Sequence, residues 1–389
     1  MDVVYPLATT TWDEAEYAAL QKVIESGRFT MGPLVREFEE RFAAAMGARR
    51  AVMVNSGSSA NLIAVAAALV NPDVDLNPGD EVIVPAVSWA TTYYPVHQLG
   101  LRLRFVDVDR DTLNIDTALV AEAITERTKA ILAVNLLGNP ADLPALRALA
   151  EAHGLVLIED NCESLGATLD GRHTGTFGLA GTYSAFFSHH ISTMEGGLVT
   201  TDDEYTYQAA VSLRAHGWTR ELPADNLIHP KSGDAFDDLF RFVLPGYNVR
   251  PLEMSGALGI EQLAKLPALI AGRRENGREF VRLFGDRDDL TIQRENGESS
   301  WFGFAMVLEG RLGGRRAELA RALAAAGIEA RPVVAGNFTR NPVMRHLDAI
   351  VPDTLPVSDD IHENGLFVGN HHYPIPRQLE LLATVVDGL

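Results

Sequence analysis

A glycine- and serine-rich segment at residues 54–61 has the composition of an anion-binding turn. It reads VNSGSSAN, and an apolar, strand-like run gives way to an alanine-rich, helix-like run just after Gly57 and Ser58. Free backbone N–H groups at a helix N-terminus, together with serine hydroxyls, can bind a phosphate group. A plain strand-to-helix turn capped by a serine has the same pattern, so this segment alone leaves both interpretations open.

A second segment, residues 155–167, places carboxylates directly after an apolar strand. It reads LVLIEDNCESLGA and brings Glu159, Asp160 and Glu163 to the predicted carboxyl end of that strand. Carboxylates are costly to bury unless they meet a cation or a hydrogen-bond donor, and a protonated heterocyclic nitrogen would be such a partner. An aspartate that simply starts a turn is the alternative.

Two further segments combine aromatic or imidazole rings with strand ends. In AVSWATTYYP, residues 86–95, Trp89 could stack on a flat ligand ring, although an aromatic residue at a sheet edge more often packs in the core. In FFSHHISTMEGG, residues 186–197, two adjacent histidines precede a glycine pair that permits close backbone approach. Adjacent histidines point in different directions and no metal-ligand spacing is present, so no metal site is expected.

A fifth segment, LPGYNVRPLE at residues 244–253, lies between glycine and proline punctuation. It offers the amide of Asn248 and the cation of Arg250, which could bind a phosphate or merely cap the following helix. The residues by themselves do not decide between these roles.

The elements that must position these residues alternate between strands and helices over residues 50–200, which is typical of a mostly parallel sheet covered on both faces. Ligands of such sheets bind outside the carboxyl ends of the strands, where the segments above fall. Helices are predicted at 13–26, 34–46, 60–70, 115–125 and 142–153. Strands are predicted at 51–54, 81–87, 103–108, 130–135, 155–160, 182–187 and 198–201.

A change of pattern near residue 251 predicts a division into a large domain, 1–250, and a smaller C-terminal α+β domain, 251–389. The polar stretch at 218–238 is expected to form a long loop before that boundary. Beyond the boundary, helices are predicted at 252–270, 275–284 and 316–326, with a strand in WFGFAMVL and a closing helix near 378–386.

Composition excludes several classes of protein. The 389 residues carry a formal charge of −19, 47% are apolar, and no apolar stretch approaches ~18 residues, so neither membrane spanning nor nucleic-acid binding is expected. The start of the chain shows no signal-peptide pattern, which favours a cytoplasmic location. Cys162 is the single cysteine, and the only lysines are Lys22, Lys129, Lys231 and Lys265.

The segments in combination are much more specific than any one of them. The order GRFTMGP, SGSSAN, PAVSW, EDNCES, SHHISTMEGG and GYNVRPLE resembles the DegT/StrS-type sugar aminotransferases, a family of pyridoxal phosphate enzymes, over about residues 5–371. This resemblance implies an aspartate aminotransferase-like fold (fold type I). We therefore expect a mostly parallel, seven-stranded central sheet with helices on both faces, plus the smaller C-terminal domain.

The resemblance also implies roles for individual residues. The cofactor phosphate would be held by Gly57, Ser58 and Ser184, and Trp89 would stack on the cofactor ring. Asp160 would pair with the pyridine nitrogen.

Roles for five more residues are implied near the edge of the site. Glu163 would lie near the cofactor hydroxyl, and Asn248 would reach the cofactor phosphate of a neighbouring subunit, which implies a homodimer with shared sites. His216 and Arg220, within AHGWTR, and Arg250 are candidate substrate-binding residues, with a solvated loop as the alternative for the first two.

One departure from the family pattern concerns the lysine that normally binds the cofactor covalently. The family places it eight residues before the second glycine of the EGG motif, and counting back from Gly197 gives His189. No lysine is near this motif, so no covalent bond between the chain and the cofactor is expected. An imidazole with an unperturbed pKa near ~6.5 can both accept a proton and donate one, which makes His189 the candidate catalytic residue.

This replacement resembles the sugar 3-dehydratase branch of the family. One subtype of that branch binds an iron–sulfur cluster through several cysteines, and a single Cys162 cannot supply that ligand set. The resemblance then implies pyridoxal or pyridoxamine phosphate as cofactor, L-glutamate as amino donor and a nucleotide-linked 4-keto-6-deoxy sugar, GDP-linked, as substrate. The sugar would lose its 3-hydroxyl, with release of 2-oxoglutarate and ammonia. A nucleotide-sugar 4-aminotransferase and a catalytically silent binding relative are the alternatives.

Overall fold

The computed structural model describes residues 3–389; Met1 and Asp2, the first residues of the predicted large domain, lie outside the described part. The α-helices of this part are α1 (Glu14–Ser26), α2 (Pro33–Met46), α3 (Gly57–Val70), α4 (Ala90–Gln98), α5 (Thr117–Ala123), α6 (Leu143–His153), α7 (Glu204–Leu213), α8 (Glu253–Phe284), α9 (Arg316–Ala325), α10 (Pro356–Asn364) and α11 (Pro376–Asp387).

The strands are β1 (Arg50–Val54), β2 (Glu81–Pro85), β3 (Arg102–Val106), β4 (Thr128–Val134), β5 (Val156–Asp160), β6 (Thr168–Leu169), β7 (Arg172–His173), β8 (Ala180–Ser184), β9 (Gly197–Thr201), β10 (Leu290–Ile292), β11 (Gly303–Leu308), β12 (Ala330–Arg331), β13 (Ala349–Ile350) and β14 (Gly365–Gly369).

The large sheet has the order β1-β9-β8-β5-β4-β2-β3-β13. All seven strands predicted from the sequence are present in it, and β8, β5, β4, β2 and β3 run parallel to one another. β9 is antiparallel to both of its neighbours, β1 and β8. The eighth strand, β13, comes from the C-terminal part of the chain and pairs with β3; at two residues it is too short to give a periodic pattern.

The strand directions bring several predicted site residues to one edge of the sheet. Asp160 ends β5, and its neighbour in the register is Val134 at the end of β4. Because β9 is antiparallel, its first residue, Gly197, lies opposite both Ser184 and Val54. A Cβ atom on Gly197 would lie 2.2 Å from the carbonyl oxygen of Ser56, so glycine is required for the backbone to approach this closely.

Helix α3 follows β1 and packs under the sheet. Its side chains are apolar nearly all round and most are buried, which is typical of a helix inside the core. Ser56 caps its N-terminus by accepting a hydrogen bond from the backbone N–H of Ser59 at 3.1 Å. The packing of α3 against the sheet therefore fixes the direction in which its N-terminus points.

Helix α8 corrects one prediction. The sequence predicts two helices, at 252–270 and 275–284, but the structure has one continuous helix of 32 residues. Its glycines serve close packing and do not end the helix: a Cβ on Gly272 would lie 2.2 Å from the carbonyl oxygen of His372, and one on Gly277 would lie 2.7 Å from the ring of Trp301.

The C-terminal part has its own antiparallel sheet, in the order β10-β11-β14-β12. Its hydrophobic cluster includes Phe280, Phe304 and Leu379, and Tyr5 from the start of the chain also packs there. The division at residue 250/251 stays a prediction. No helix within residues 3–389 is both long and apolar enough to cross a membrane.

Candidate active site

A cavity of about 400 Å³ opens at the sheet edge described above. Seven of the site residues predicted from the sequence line it: Gly57, Ser58, Trp89, Asp160, Glu163, Ser184 and His189. Its other lining residues are Ser56, Ser88, Thr91, Val134, Cys162, Phe186, Ser188 and Glu195. Segments up to about 140 residues apart in the sequence therefore meet in one space.

Asp160 is a buried carboxylate that forms no ion pair with a basic side chain of residues 3–389. It is 5% exposed, and its Oδ2 accepts hydrogen bonds from Asn61 Nδ2 and Thr92 Oγ1, both at 2.8 Å. Its Oδ1 accepts the backbone N–H of Cys162 at 3.1 Å. Neutral donors hold the carboxylate in place but leave its charge uncompensated, so it is suited to a cationic group of a ligand.

Sequence reasoning missed the two side chains that orient Asp160. Asn61 and Thr92 both lie within segments that the sequence singled out, SGSSAN and PAVSWATT. Asn61 is one turn after Gly57 on α3, so helical periodicity could have placed it on the same face. No signal in the sequence connects Thr92 with Asp160.

The N-terminus of α3 forms the anion-binding end of the cavity. The N–H groups of Gly57 and Ser58 belong to the first helical turn and have no acceptor within the helix. A Cβ on Gly57 would lie 2.7 Å from Ser184 Cβ and 2.8 Å from Cys162 Sγ. Glycine therefore lets the helix end approach the Ser184 hydroxyl, and the two together can bind a phosphate.

Trp89 stands at the mouth of the cavity as the residue before α4. Its side chain is 58% exposed, so Trp89 does not pack in the core as an aromatic residue at a sheet edge most often does. A flat, partly exposed indole beside a cavity offers a stacking surface for a ring.

His189 lines the cavity, and its buried Nδ1 has no hydrogen-bond partner in the part of the chain that the structure describes. Burial, with a smaller contribution from the positive charge of Arg273, lowers the pKa of His189 to about 4. The imidazole is therefore uncharged near pH 7. The ring of Phe302 supports it, with the two ring centroids 5.1 Å apart.

His190 turns away from the cavity. It is fully buried, and its Nε2 lies 3.1 Å from the carbonyl oxygen of Ser300. The two adjacent histidines thus have different surroundings, and residues 3–389 contain no group of three or more His, Cys, Asp or Glu side chains placed to hold a metal ion.

Glu163 lies on the carboxylate side of the cavity. It accepts the backbone N–H of Leu137 at 3.0 Å, and burial together with the nearby Asp160 raises its pKa to about 7. Near neutral pH this carboxyl group can hold a proton or release one. Ser188 and Glu195 also line the cavity; both lie in the segment 186–197 that the sequence singled out, but neither was given a role there.

Four predicted residues are not among those that line this cavity. His216, Arg220, Arg250 and Asn248 gather instead around Trp218. The His216 ring lies 4.7 Å from the Trp218 ring, and the guanidinium groups of Arg220 and Arg250 lie 5.9 and 5.8 Å from it.

Asn248 joins this group through Arg250, whose Nε donates to Asn248 Oδ1 at 3.0 Å. The group includes two arginines, and neither is in an ion pair within residues 3–389. The reach of Asn248 to the site of a neighbouring subunit stays a prediction, as do the substrate-binding roles of His216, Arg220 and Arg250.

The cavity residues fit the cofactor that the sequence implies. A flat pyridine ring with a phosphate needs an anion site, a stacking surface and, for a protonated ring nitrogen, a carboxylate. The α3 N-terminus, the Trp89 indole and the uncompensated charge of Asp160 supply these three in one cavity.

The fold and cavity define a class of pyridoxal phosphate enzymes, and the chain belongs to the DegT/DnrJ/EryC1/StrS aminotransferase family, whose model matches residues 10–379. The family, the aspartate aminotransferase-like fold and the cofactor predicted from the sequence are thus confirmed.

Individual relatives are similar over nearly the whole chain. A Yersinia pseudotuberculosis protein named GDP-4-keto-6-deoxy-D-mannose 3-dehydratase is 53% identical, with 98% of each chain covered. The structure of the E. coli enzyme of that name with bound hydrated PLP is 51% identical, has a TM-score of 0.97 and covers 99% of this chain and 100% of its own. A structure of a GDP-4-keto-6-deoxymannose-3-dehydratase with a trapped PLP-glutamate geminal diamine is also 51% identical, has a TM-score of 0.95 and covers 98% of this chain and 99% of its own.

Proposed function

We propose that the chain is a pyridoxal phosphate-dependent, iron–sulfur-independent 3-dehydratase that acts on GDP-4-keto-6-deoxy-D-mannose with L-glutamate as amino donor. One observation carries the proposal: the cavity presents His189 where family aminotransferases have lysine. The relatives described above carry the same activity in their names.

The four lysines of the chain do not line the cavity. Lys129 pairs with Asp75, and Lys265 pairs with Asp13 and Glu16. Lys22 lies on α1 and Lys231 in the long loop, and none of the four lines the cavity. All four are within the described residues, so no side chain at the cavity can bind an aldehyde covalently as lysine does.

The overall reaction balances in two stages. L-glutamate gives its amino group to the cofactor and leaves as 2-oxoglutarate. The sugar then loses its 3-hydroxyl, and hydrolysis releases ammonia and a 3-deoxy-4-keto sugar. Bound pyridoxamine phosphate supplies the amine that condenses with the 4-ketone and a ring that accepts electrons.

His189 is the proton carrier of this scheme. With a pKa of about 4 it is unprotonated near pH 7 and available to accept a proton from the carbon next to the amine. Once protonated, an imidazole of such low pKa readily gives the proton up, which suits transfer to the departing 3-hydroxyl.

Asp160 and Glu163 would bind the ring of the cofactor. Asp160 holds a proton on the ring nitrogen, fixed by Asn61 and Thr92. Glu163, with a pKa of about 7, can share a proton with the ring hydroxyl. These two carboxyl groups thus keep the ring electron-poor while His189 moves protons.

The proposal includes a homodimer and a cytoplasmic location. Support for the homodimer comes from the Trp218 group, whose arginines and Asn248 carry anion-binding chemistry outside the cavity of their own chain. A second copy would bring this group to its cavity. The cytoplasmic location is inferred from the sequence and from the proposed use of L-glutamate and a nucleotide sugar.

The test is a product assay with purified protein, pyridoxal phosphate, L-glutamate and GDP-4-keto-6-deoxymannose. We expect 2-oxoglutarate and ammonia in equal amounts, with a 3-deoxy sugar as the other product. A stable amino sugar without ammonia would instead identify a 4-aminotransferase. Failure of glutamate to convert the cofactor would identify a silent binding relative.

A further inference from the structure

Arg273 lies in the middle of α8 as a buried cation without an acidic partner. It is 4% exposed, whereas Lys265 and Arg274 on the same helix pair with carboxylates. Within residues 3–389 Arg273 forms no ion pair, and burial lowers its pKa to about 10. An unpaired buried charge is expensive, so its position calls for an explanation.

Backbone carbonyls surround the Arg273 guanidinium. Its Nη1 donates to the carbonyl oxygens of Asn370 at 3.0 Å, Phe302 at 3.2 Å and Trp301 at 3.4 Å. Asn370 returns a hydrogen bond to the carbonyl oxygen of Arg273 at 3.0 Å. Arg273 therefore ties α8 to the end of β14 and to the segment before β11.

The segment before β11, residues 300–302, contacts both His189 and His190. The Phe302 ring lies 5.1 Å from the His189 ring and 5.7 Å from the His190 ring, and the carbonyl oxygen of Ser300 faces His190 Nε2. Arg273 thus anchors the segment that packs against the two histidines and also places a positive charge behind that segment.

We propose that Arg273 is a positioning residue for His189: it anchors the 300–302 segment against which the imidazole packs, and its buried charge opposes a second positive charge on that imidazole. The role rests on the proposed function, since it matters for catalysis only if His189 carries protons.

The charges around His189 have opposite effects. On the cavity side Asp160, Glu163 and Glu195 would favour a protonated imidazole if ionised. On the other side burial and, to a smaller extent, the charge of Arg273 lower the pKa of His189 and of His190, and also those of His371 and His372 near the end of β14. Arg273 is the nearby cation that offsets the carboxylates, because Arg274 points to Gly166, Glu298 and Ser299.

The test measures the pKa of His189 by NMR of histidine-labelled protein with pyridoxal phosphate bound, with its signal assigned as the one lost in His189→Asn. Arg273→Met removes the charge and the hydrogen bonds, and we expect the pKa of His189 to rise by about 1 pH unit. Arg273→Lys keeps the charge, so the pKa should stay low while kcat falls and KM changes little.

Arg274→Gln is the matched control. Arg274 lowers the pKa of His173 and not that of His189, so this variant should raise only the His173 value. Should Arg273→Met not fold, Arg273→Gln removes the charge and keeps an amide donor. An unchanged pKa of His189 in Arg273→Met or Arg273→Gln would overturn the proposal. Equal shifts of that pKa in Arg273→Lys and Arg273→Met would also overturn it.

The pH profile separates this inference from the proposed function. If the chain is a dehydratase, the acidic limb of kcat/KM should move to higher pH in Arg273→Met. If the proposed function is wrong, no dehydratase activity can be measured and there is no pH profile of kcat/KM. The NMR titration still reports whether Arg273 changes the pKa of His189.

Discussion

Asn61 donates a hydrogen bond to Asp160 Oδ2 at 2.8 Å, across 99 residues of sequence. The helix whose N-terminus is the anion site thereby also fixes the carboxylate for the ring nitrogen. Thr182 Oγ1 donates to Asn61 Oδ1, so the amide is oriented with its NH2 group toward Asp160. The spacing between the two ends of a bound cofactor is therefore set by one helix and one strand.

Asp160→Asn should retain the fold and lose most of the activity. The amide oxygen can still accept from Asn61 and Thr92, but the side chain no longer carries the charge that holds a proton on the ring nitrogen. We expect kcat to fall by about 100-fold or more. Release of 2-oxoglutarate measures this, with thermal unfolding as the check on the fold. Activity near the wild-type level would exclude the assigned role.

His189→Gln should abolish ammonia release, because glutamine has a similar length but accepts no proton. A loss of about 100-fold or more is expected for removal of a general acid–base group. His346→Gln is the matched control, since His346 is exposed on the surface and should be replaceable without effect. Ammonia production is the readout, and a small effect at His189 would assign proton transfer to another group.

Mixing two inactive variants tests whether the sites are shared. If Asn248 serves the cavity of the partner, the Asn248→Ala and Asp160→Asn changes of a mixed dimer fall in the same site. One site then carries both changes and the other carries none. We expect about one quarter of wild-type activity after refolding together in equal amounts, since half of the dimers are mixed. No recovery would place Asn248 in its own subunit's site.

Stability should fall as the solution is acidified, and buried histidines are one cause. Burial and Arg273 lower the pKa of His371 to about 4, and the residue is held by Thr9 and the carbonyl oxygen of Pro6. Since the unfolded chain binds the proton near pH 6.5, unfolding takes up protons between about pH 6.5 and 4, and stability is lost as pH falls through this range.

The contribution of His371 between pH 7.5 and 5 is about 2 kcal/mol. His371→Gln should therefore lose less stability over this range than the wild type, as measured by urea unfolding at both pH values. Equal losses would show that His371 titrates alike in the folded and unfolded chain.

Local patterns in the sequence predict much of the fold. The seven strands and helices α1, α2, α3, α5 and α6 follow from periodicity, capping residues and glycine punctuation, which act within a few positions, whereas α4 was not predicted. The prediction fails at α8, where Gly272 lies in the gap between the two predicted helices and Gly277 lies inside the second one. Their function is close contact with His372 and Trp301, and such contacts leave no trace in a local pattern.

The sequence by itself determined which chemical groups are available: a histidine in place of lysine, one cysteine, and the carboxylate that ends β5. Only the tertiary structure decided that Asn61 and Thr92 orient Asp160, that the Trp218 group lies outside the cavity, and that His189 is uncharged at neutral pH. The physical reason is that orientation and proton affinity depend on burial and on charges brought together from distant segments, whereas residue identity is fixed before folding.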